Sequence, residues 1–239
     1  MGGGGFSMEP DNLLLDDFIL SLSPRQPARI CFVPTASADS AAYLVRFYRA
    51  FSGRAIATDL TVFDPPSVPR RPAHTSELRS FVAEQDIVYV GGGNTANLLA
   101  MWRAHGIDRV LREAWEAGKV LAGISAGMIC WFEDGLTDSF GALQPLGDGL
   151  GFLSGSACPH YDGEVGRPEA YRRAIAEGMA AGYAADDGAA LHFRGTELVE
   201  VVASRATAAA RRLELVDGRV LEVPLPARFL GRTDDDLEA

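Results

Sequence analysis

The segment Gly123-Ile124-Ser125-Ala126-Gly127 points most directly to chemistry. A serine hydroxyl is presented for attack when it sits on a sharp turn at the C-terminal end of a buried strand, and small flanking residues allow that turn. Both flanks fit: Lys119-Val120-Leu121-Ala122-Gly123 reads as a buried strand, and Met128 to Phe132 as an apolar helical segment. The helix N-terminus behind the serine favours negative charge, and the Ala126 N–H is placed to donate to an oxyanion. Gly-x-Ser-x-Gly also occurs by chance in turns, but the strand before it and the segment after it favour a nucleophile.

Gly91-Gly92-Gly93-Asn94-Thr95 follows another apolar run, so its N–H groups can form a second half of an anion-binding nest. Gly91, Gly93 and Ala96 also match a dinucleotide fingerprint loosely, but that reading needs an acidic residue ending the next strand. Glu113 and Glu116 fall inside a helix instead, which favours an oxyanion or substrate loop.

A serine nucleophile needs a base, and there are four histidines. His74 lies in a polar loop, His105 in or beside a helix, and His192 alternates with apolar residues in a late strand. His160, in Ala157-Cys158-Pro159-His160-Tyr161-Asp162, follows a short apolar run in a non-helical segment and is the candidate base. The orienting carboxylate stays open between Asp138, beyond the predicted helix, and Glu133, about two turns along it; Asp134 with Gly135 reads as a turn pair.

These residues require a scaffold of strands ending at one edge. Arg29–Val33, Asp59–Phe63, Asp86–Val90 and 119–123 are short apolar runs separated by helical periods, the pattern of a mainly parallel sheet flanked by helices. Leu13, Leu14, Phe18 and Ile19 are expected on one helical face, and Tyr43, Leu44, Phe47, Tyr48 and Phe51 on another. A helix is expected over 95–116, with a possible break at Gly106, and Pro65 to Pro72 reads as loop. Beyond about residue 185 strands dominate: Ala189–Phe193, Glu197–Val202, and a hairpin of Arg212–Val216 and Arg219–Val223 around Asp217-Gly218. One α/β domain over 1–230 with a polar acidic tail over 231–239 is expected. Gly2 to Gly5 read as a strand-to-helix loop with no strand ahead of it, or as a flexible end.

The 239 residues suit one sizeable core. A net charge of −10 repels phosphate backbones and anionic membranes, so neither nucleic acid nor a membrane is an expected partner. Cys31, Cys130 and Cys158 lie in or beside apolar stretches and read as reduced core thiols, with no spacing for a metal knuckle. The N-terminus has no secretory pattern and no apolar run reaches ~18 residues, so the expected location is cytoplasmic.

Together, Gly2-Gly3-Gly4-Gly5-Phe6-Ser7-Met8-Glu9, Gly91 to Thr95, Gly123 to Gly127 with Trp131-Phe132-Glu133, and Pro159-His160 resemble the peptidase E family of serine peptidases, the dipeptidase E or α-aspartyl dipeptidase group related to cyanophycinase. The resemblance spans nearly the whole chain. It implies a fold like the class I glutamine amidotransferase domain, Ser125 as nucleophile and His160 as base. By the same resemblance Asp138 or Glu133 completes the triad, and Gly92, Gly93 and Ala126 are oxyanion donors beside Asn94. Relatives selective for an N-terminal aspartate use a basic residue after the histidine, to which Arg167 corresponds, with Arg172 and Arg173 as substitutes. Here the family's strand before the four-glycine loop is missing, which would leave a sheet edge uncovered. The expected activity is hydrolysis of short peptides through an acyl-enzyme, with no cofactor or metal and a possible homodimer. The alternatives are a non-peptidase amide hydrolase and a silent binding module. Only 35 residues separate Ser125 from His160, fewer than an ordinary α/β-hydrolase uses, and Cys130, inside the predicted helix, cannot replace the serine as in a glutaminase.

Overall fold

A computed structural model describes residues 1–63 and 75–232. The Pro-rich stretch 65–72, His74 and the acidic residues from 233 onward lie outside the described residues. The first half alternates helix and strand: α1 (Gly5–Met8), α2 (Leu14–Ser21), β1 (Arg29–Val33), α3 (Ala41–Phe51), β2 (Ile56–Asp59), α4 (Thr75–Glu84), β3 (Ile87–Val90), α5 (Thr95–His105), α6 (Ile107–Glu116) and β4 (Val120–Gly123). Its strands form a parallel sheet in the order β2-β1-β3-β4.

The continuous apolar runs of β1 and β3 follow from burial on both faces. Successive side chains alternate between faces. Ile30, Phe32, Ile87 and Tyr89 therefore meet Phe6 and the α3 residues Phe47 and Phe51, while Cys31, Val33, Val88 and Val90 meet Trp102, Val110 and Leu111 of α5 and α6. Phe32 and Phe47 stack at 4.9 Å.

The expected helix over 95–116 is divided by Gly106, whose φ of 70° closes α5 and opens α6. Three expectations are corrected. The inward face of α2 centres on Leu15 and Ile19, with Leu14 only half-buried. The strand expected over 59–63 ends at Asp59, because Ile56–Asp59 is the stretch that pairs with β1, while Leu60 and Val62 pack into the core from a loop. The helix expected over 128–132 is a single turn.

That turn, α7 (Ala126–Ile129), opens the second half, followed by β5 (Phe132–Thr137), β6 (Gln144–Pro145), β7 (Leu153–Cys158), α8 (Arg167–Ala176), β8 (Gly182–Ala185), β9 (Ala189–Arg194), β10 (Glu197–Ala203), β11 (Ala210–Val216), β12 (Arg219–Leu225) and β13 (Ala227–Phe229). A six-stranded sheet runs β12-β11-β8-β7-β5-β6, with β5, β7 and β8 parallel, and a smaller sheet runs β13-β10-β9. The expected hairpin is present, with Asp217 and Gly218 both at positive φ, the twist a two-residue turn between strands requires.

Met1 to Gly3 run between the halves rather than as a loose end. The Met1 nitrogen donates to Gly123 O at 2.8 Å, Ser125 N to Met1 O at 3.2 Å, Gly2 N to Ala189 O at 3.0 Å, and Gly3 bridges Asp187. All three cysteines are buried and unbridged. No helix among the described residues is long and apolar enough to cross a membrane.

Candidate active site

Val90 lies opposite Gly123 in adjacent parallel strands, so the loops after β3 and β4 emerge side by side. Ligands of open α/β sheets bind outside such carboxyl ends. The second loop is the elbow. A Cβ on Gly123 would overlap the Gly127 carbonyl, and one on Gly127 would overlap the Val90 carbonyl. Only glycines let the chain fold back so tightly. Ser125 takes φ 57° and ψ −115°, a conformation costly for a residue with a side chain. Surrounding bonds hold it there: its N–H donates to Met1 O, and its carbonyl accepts from Met128 and Ile129 at 2.8 and 3.0 Å. The hydroxyl makes no hydrogen bond among the described residues.

The first loop is pressed against this elbow. A Cβ on Gly92 would lie 3.2 Å from Ser125 Cβ, and Gly93, at φ 139°, passes over the Ala36 carbonyl. No hydrogen bond takes up the N–H groups of Gly93 and Ala126 among the described residues, whereas Gly92 N donates to the Tyr43 hydroxyl at 3.2 Å. That hydroxyl also pairs with Ser7 Oγ. Asn94 serves architecture: its Oδ1 caps α5 by accepting from Asn97 N at 2.9 Å, and its Nδ2 donates to Ser139 O at 3.0 Å.

β7 and β8 are also parallel neighbours, with Cys158 opposite Ala184, and their following residues meet at the same edge. Pro159 ends β7, His160 turns at φ 54°, and Tyr161 N returns to Ala185 O at 3.1 Å. His160 Nδ1 and Asp187 Oδ1 stand 2.6 Å apart, both largely buried. The hydrogen bond to His160 holds the Asp187 carboxyl below the usual aspartate range, so it is an anion beside the imidazole. Gly3 packs against this carboxylate so closely that it has no room for a Cβ. Met1 touches the serine elbow, and two residue steps span no more than about 7 Å. The elbow and the His160–Asp187 pair are therefore neighbours.

The carboxylate on His160 is neither Asp138 nor Glu133. Because residues 132–137 form strand β5 instead of continuing a helix, Glu133 is carried to an exposed position where its Oε2 accepts from Gly155 N at 2.7 Å. Asp138 is also exposed, at the end of that strand, and Asp134 lies within β5, its Oδ1 accepting from Gly147 N at 2.7 Å. Asp187 escaped sequence reasoning because it is 27 residues from His160 and meets it only through β7–β8 pairing. Its local signal was an acidic pair, Asp186-Asp187, after the apolar run Tyr183-Ala184-Ala185.

Arg167 is not a free cation. It is buried at the start of α8, its Nε donating to Glu164 Oε2 at 2.8 Å and its Nη1 to Leu136 O at 3.4 Å. Arg172 pairs with Glu222 at 2.8 Å, and Arg173 is exposed. His105 is exposed and His192 pairs with Glu200 at 3.2 Å. Burial pushes the Cys130 thiol well above its ordinary pKa, which disfavours a thiolate there.

A model of peptidase family S51 matches residues 1–201. The chain belongs to peptidase family S51. Over 233 residues this S51 chain is 54% identical to an uncharacterized peptidase, YgaJ, of Bacillus subtilis (strain 168), with 97% of each chain covered. Among solved structures, the S51 chain is similar to a peptidase from an acI-B1 Actinobacterium, with TM-score 0.68 and 19% identity, over 95% of this chain and 92% of that one. It is also similar to a putative peptidase E protein from Listeria monocytogenes EGD-e, with TM-score 0.50 and 18% identity, over 88% and 93% of the two chains. Those likenesses show the α/β fold with a parallel sheet flanked by helices. Family membership makes the chain a peptidase.

Proposed function

We propose that this S51 peptidase is a serine-type enzyme that cleaves short peptides through an acyl-enzyme on Ser125. The observation that carries the reading is the ionised Asp187 on His160 Nδ1 beside the strained serine elbow. With Nδ1 donating to Asp187, the imidazole keeps its proton on that side and leaves Nε2 as the basic atom. His160 then takes the Ser125 proton as Oγ attacks the scissile carbonyl, and Asp187 stabilises the imidazolium. The oxyanion falls to the N–H groups of Ala126 and Gly93. Gly92 joins them only if substrate displaces its bond to Tyr43. Proton return from His160 to the leaving amine completes acylation, and water repeats the sequence in reverse. The hydroxyl–imidazole bond of such a cycle commonly tightens only with substrate in place.

Arg167 gives no support to a preference for N-terminal aspartate, since Glu164 already neutralises it. A dipeptide and tripeptide library, run beside labelling by a fluorophosphonate, tests the proposal. Labelling lost in Ser125→Ala, with cleavage of at least one short peptide by the parent, is expected. An unlabelled parent that still cleaves peptides would remove the serine mechanism.

A further inference from the structure

Tyr43 and Arg46, three residues apart on α3, are neighbours on its surface. Tyr43 is buried against the loop after β3, where its hydroxyl accepts from Gly92 N at 3.2 Å and pairs with Ser7 Oγ. A Cβ on Gly92 would in turn lie 3.7 Å from Ser125 Oγ. Arg46 continues this line outward: it is exposed, and its guanidinium carbon stands 4.9 Å from the centre of the Tyr43 ring. No hydrogen bond or ion pair engages it among the described residues. The ring contact holds the cation and leaves its N–H donors for a planar acceptor.

The arginines near the His160–Asp187 pair are already neutralised. Arg167 is taken by Glu164, Arg211 by Asp186, and Arg205, which packs on Gly188 beside Asp187, by Glu9. That side of the site is acidic: Asp187 is an anion, and Asp162 Oδ1 accepts from its N–H at 2.8 Å. A substrate carboxylate is repelled there and drawn to Arg46. A short peptide carries opposite charges at its two ends, an ammonium on the acyl side and a carboxylate on the leaving side. An unpaired guanidinium repels the first and fits the second bidentately. In a dipeptide the carboxylate stands one residue past the scissile bond, ~3.3–3.6 Å along an extended chain. Ser125 is linked to Arg46 through one residue, Gly92, and one ring, that of Tyr43.

We propose that Arg46 is a specificity residue that binds the α-carboxylate of the leaving amino acid, so that peptides ending one residue past the scissile bond are preferred. The assignment rests on the serine mechanism proposed above, which places the scissile carbonyl at Ser125 Oγ.

The test uses two probes, Ala-Leu and its C-terminal amide, which differ in that carboxylate alone. Calorimetry on Ser125→Ala, with and without Arg46→Ala, gives affinity in the absence of cleavage, and kcat/KM is read on the parent and on Arg46→Ala. The acid is expected to bind about tenfold more tightly than the amide, with a similar preference in kcat/KM carried by KM. Arg46→Ala is expected to bring both ratios near one by weakening the acid. Equal binding of acid and amide, binding of neither, or a preference that survives Arg46→Ala overturns the proposal. Asp-Leu-amide against Asn-Leu-amide tests the other source of a carboxylate. An Arg46-dependent gain there, absent between Ala-Leu and its amide, assigns Arg46 to an acidic side chain and also overturns the proposal. Cleavage that persists in Ser125→Ala would reject the serine mechanism instead, and the acid-to-amide ratio in kcat/KM then decides Arg46 on its own.

Discussion

Ser125 and His160 arrive at one edge of the molecule by different physical routes. The Ser125 side is shaped by main chain: glycines at 92, 93, 123 and 127 remove every Cβ that would prevent close approach, and the serine is held by its own N–H and C=O. The His160 side is built from side chains, with an imidazole locked against a buried carboxylate that comes from a different strand. A backbone-built site must be written as a compact motif, because steric exclusion acts between near neighbours. A site built from side chains needs only that two strands end together, so its partners are scattered through the sequence.

The most severe way to break this pairing is to remove either of the two atoms to which the proposed mechanism gives the reaction. Ser125→Ala and His160→Ala are each expected to lower kcat/KM by about 10³-fold or more with circular dichroism unchanged, since members of such a unit fail together. Turnover near the parent level would reject the assignment.

The comparison sharpens with the carboxylates. Asp187→Asn leaves the shape and removes the charge on Nδ1, so a fall in kcat of about 10²- to 10⁴-fold is expected, with KM little changed. Asp138→Asn and Glu133→Gln, both exposed, are expected to stay within about threefold, as surface substitutions away from a site usually do. If either of those is the damaging substitution, the His160–Asp187 pair is structural.

A smaller effect probes the main-chain side. Asp16 is fully buried beneath the four-glycine loop and accepts from Phe6 N at 2.8 Å, and burial raises its pKa from 3.8 to about 7. A carboxyl with a raised folded pKa holds its proton more tightly when folded, so its contribution to stability declines as pH rises from about 4 to about 7 and is flat above. Asp16→Asn removes that titration. Denaturant curves should show the variant more stable than the parent at pH 8, with the difference shrinking towards pH 4. Measuring the difference cancels the Met1 amine, whose lowered pKa acts in the opposite sense between about 5 and 8. A difference independent of pH would mean that Asp16 does not titrate there.

Arg167 gives the smallest expected effect on function. Arg167→Ala should cost about 1–2 kcal/mol of stability through its lost bonds to Glu164 and Leu136. The ratio of kcat/KM for Asp-Leu over Asn-Leu should not move. A ratio that collapses would return Arg167 to substrate recognition.

What was legible in the amino-acid sequence divides along the same line. The elbow, the triple-glycine loop, the β1, β3 and β4 runs, the break at Gly106 and the Asp217-Gly218 turn were readable because each is imposed by residues within one turn or one strand. The error at 128–132 had a local cause as well: an apolar stretch of that length suits a helix or a buried strand equally, and here the chain leaves α7 after one turn to enter β5 beside β7. That misreading carried Glu133 and Asp138 to the wrong neighbourhood. Arg167 looked like a cation free for substrate because nothing in its spacing reveals that Glu164 folds back onto it.

By itself, then, the sequence determined the α/β class, the serine at its turn and the histidine after a strand, since periodicity and glycine placement are local properties. Only the tertiary structure decided which carboxylate meets His160, what Asn94 and Arg167 hold, and that Met1 to Gly3 are hydrogen-bonded between β4 and β9. Those outcomes depend on which strands become neighbours. Pairing is settled by burying faces and satisfying main-chain hydrogen bonds across the whole chain, a sum that no single segment contains.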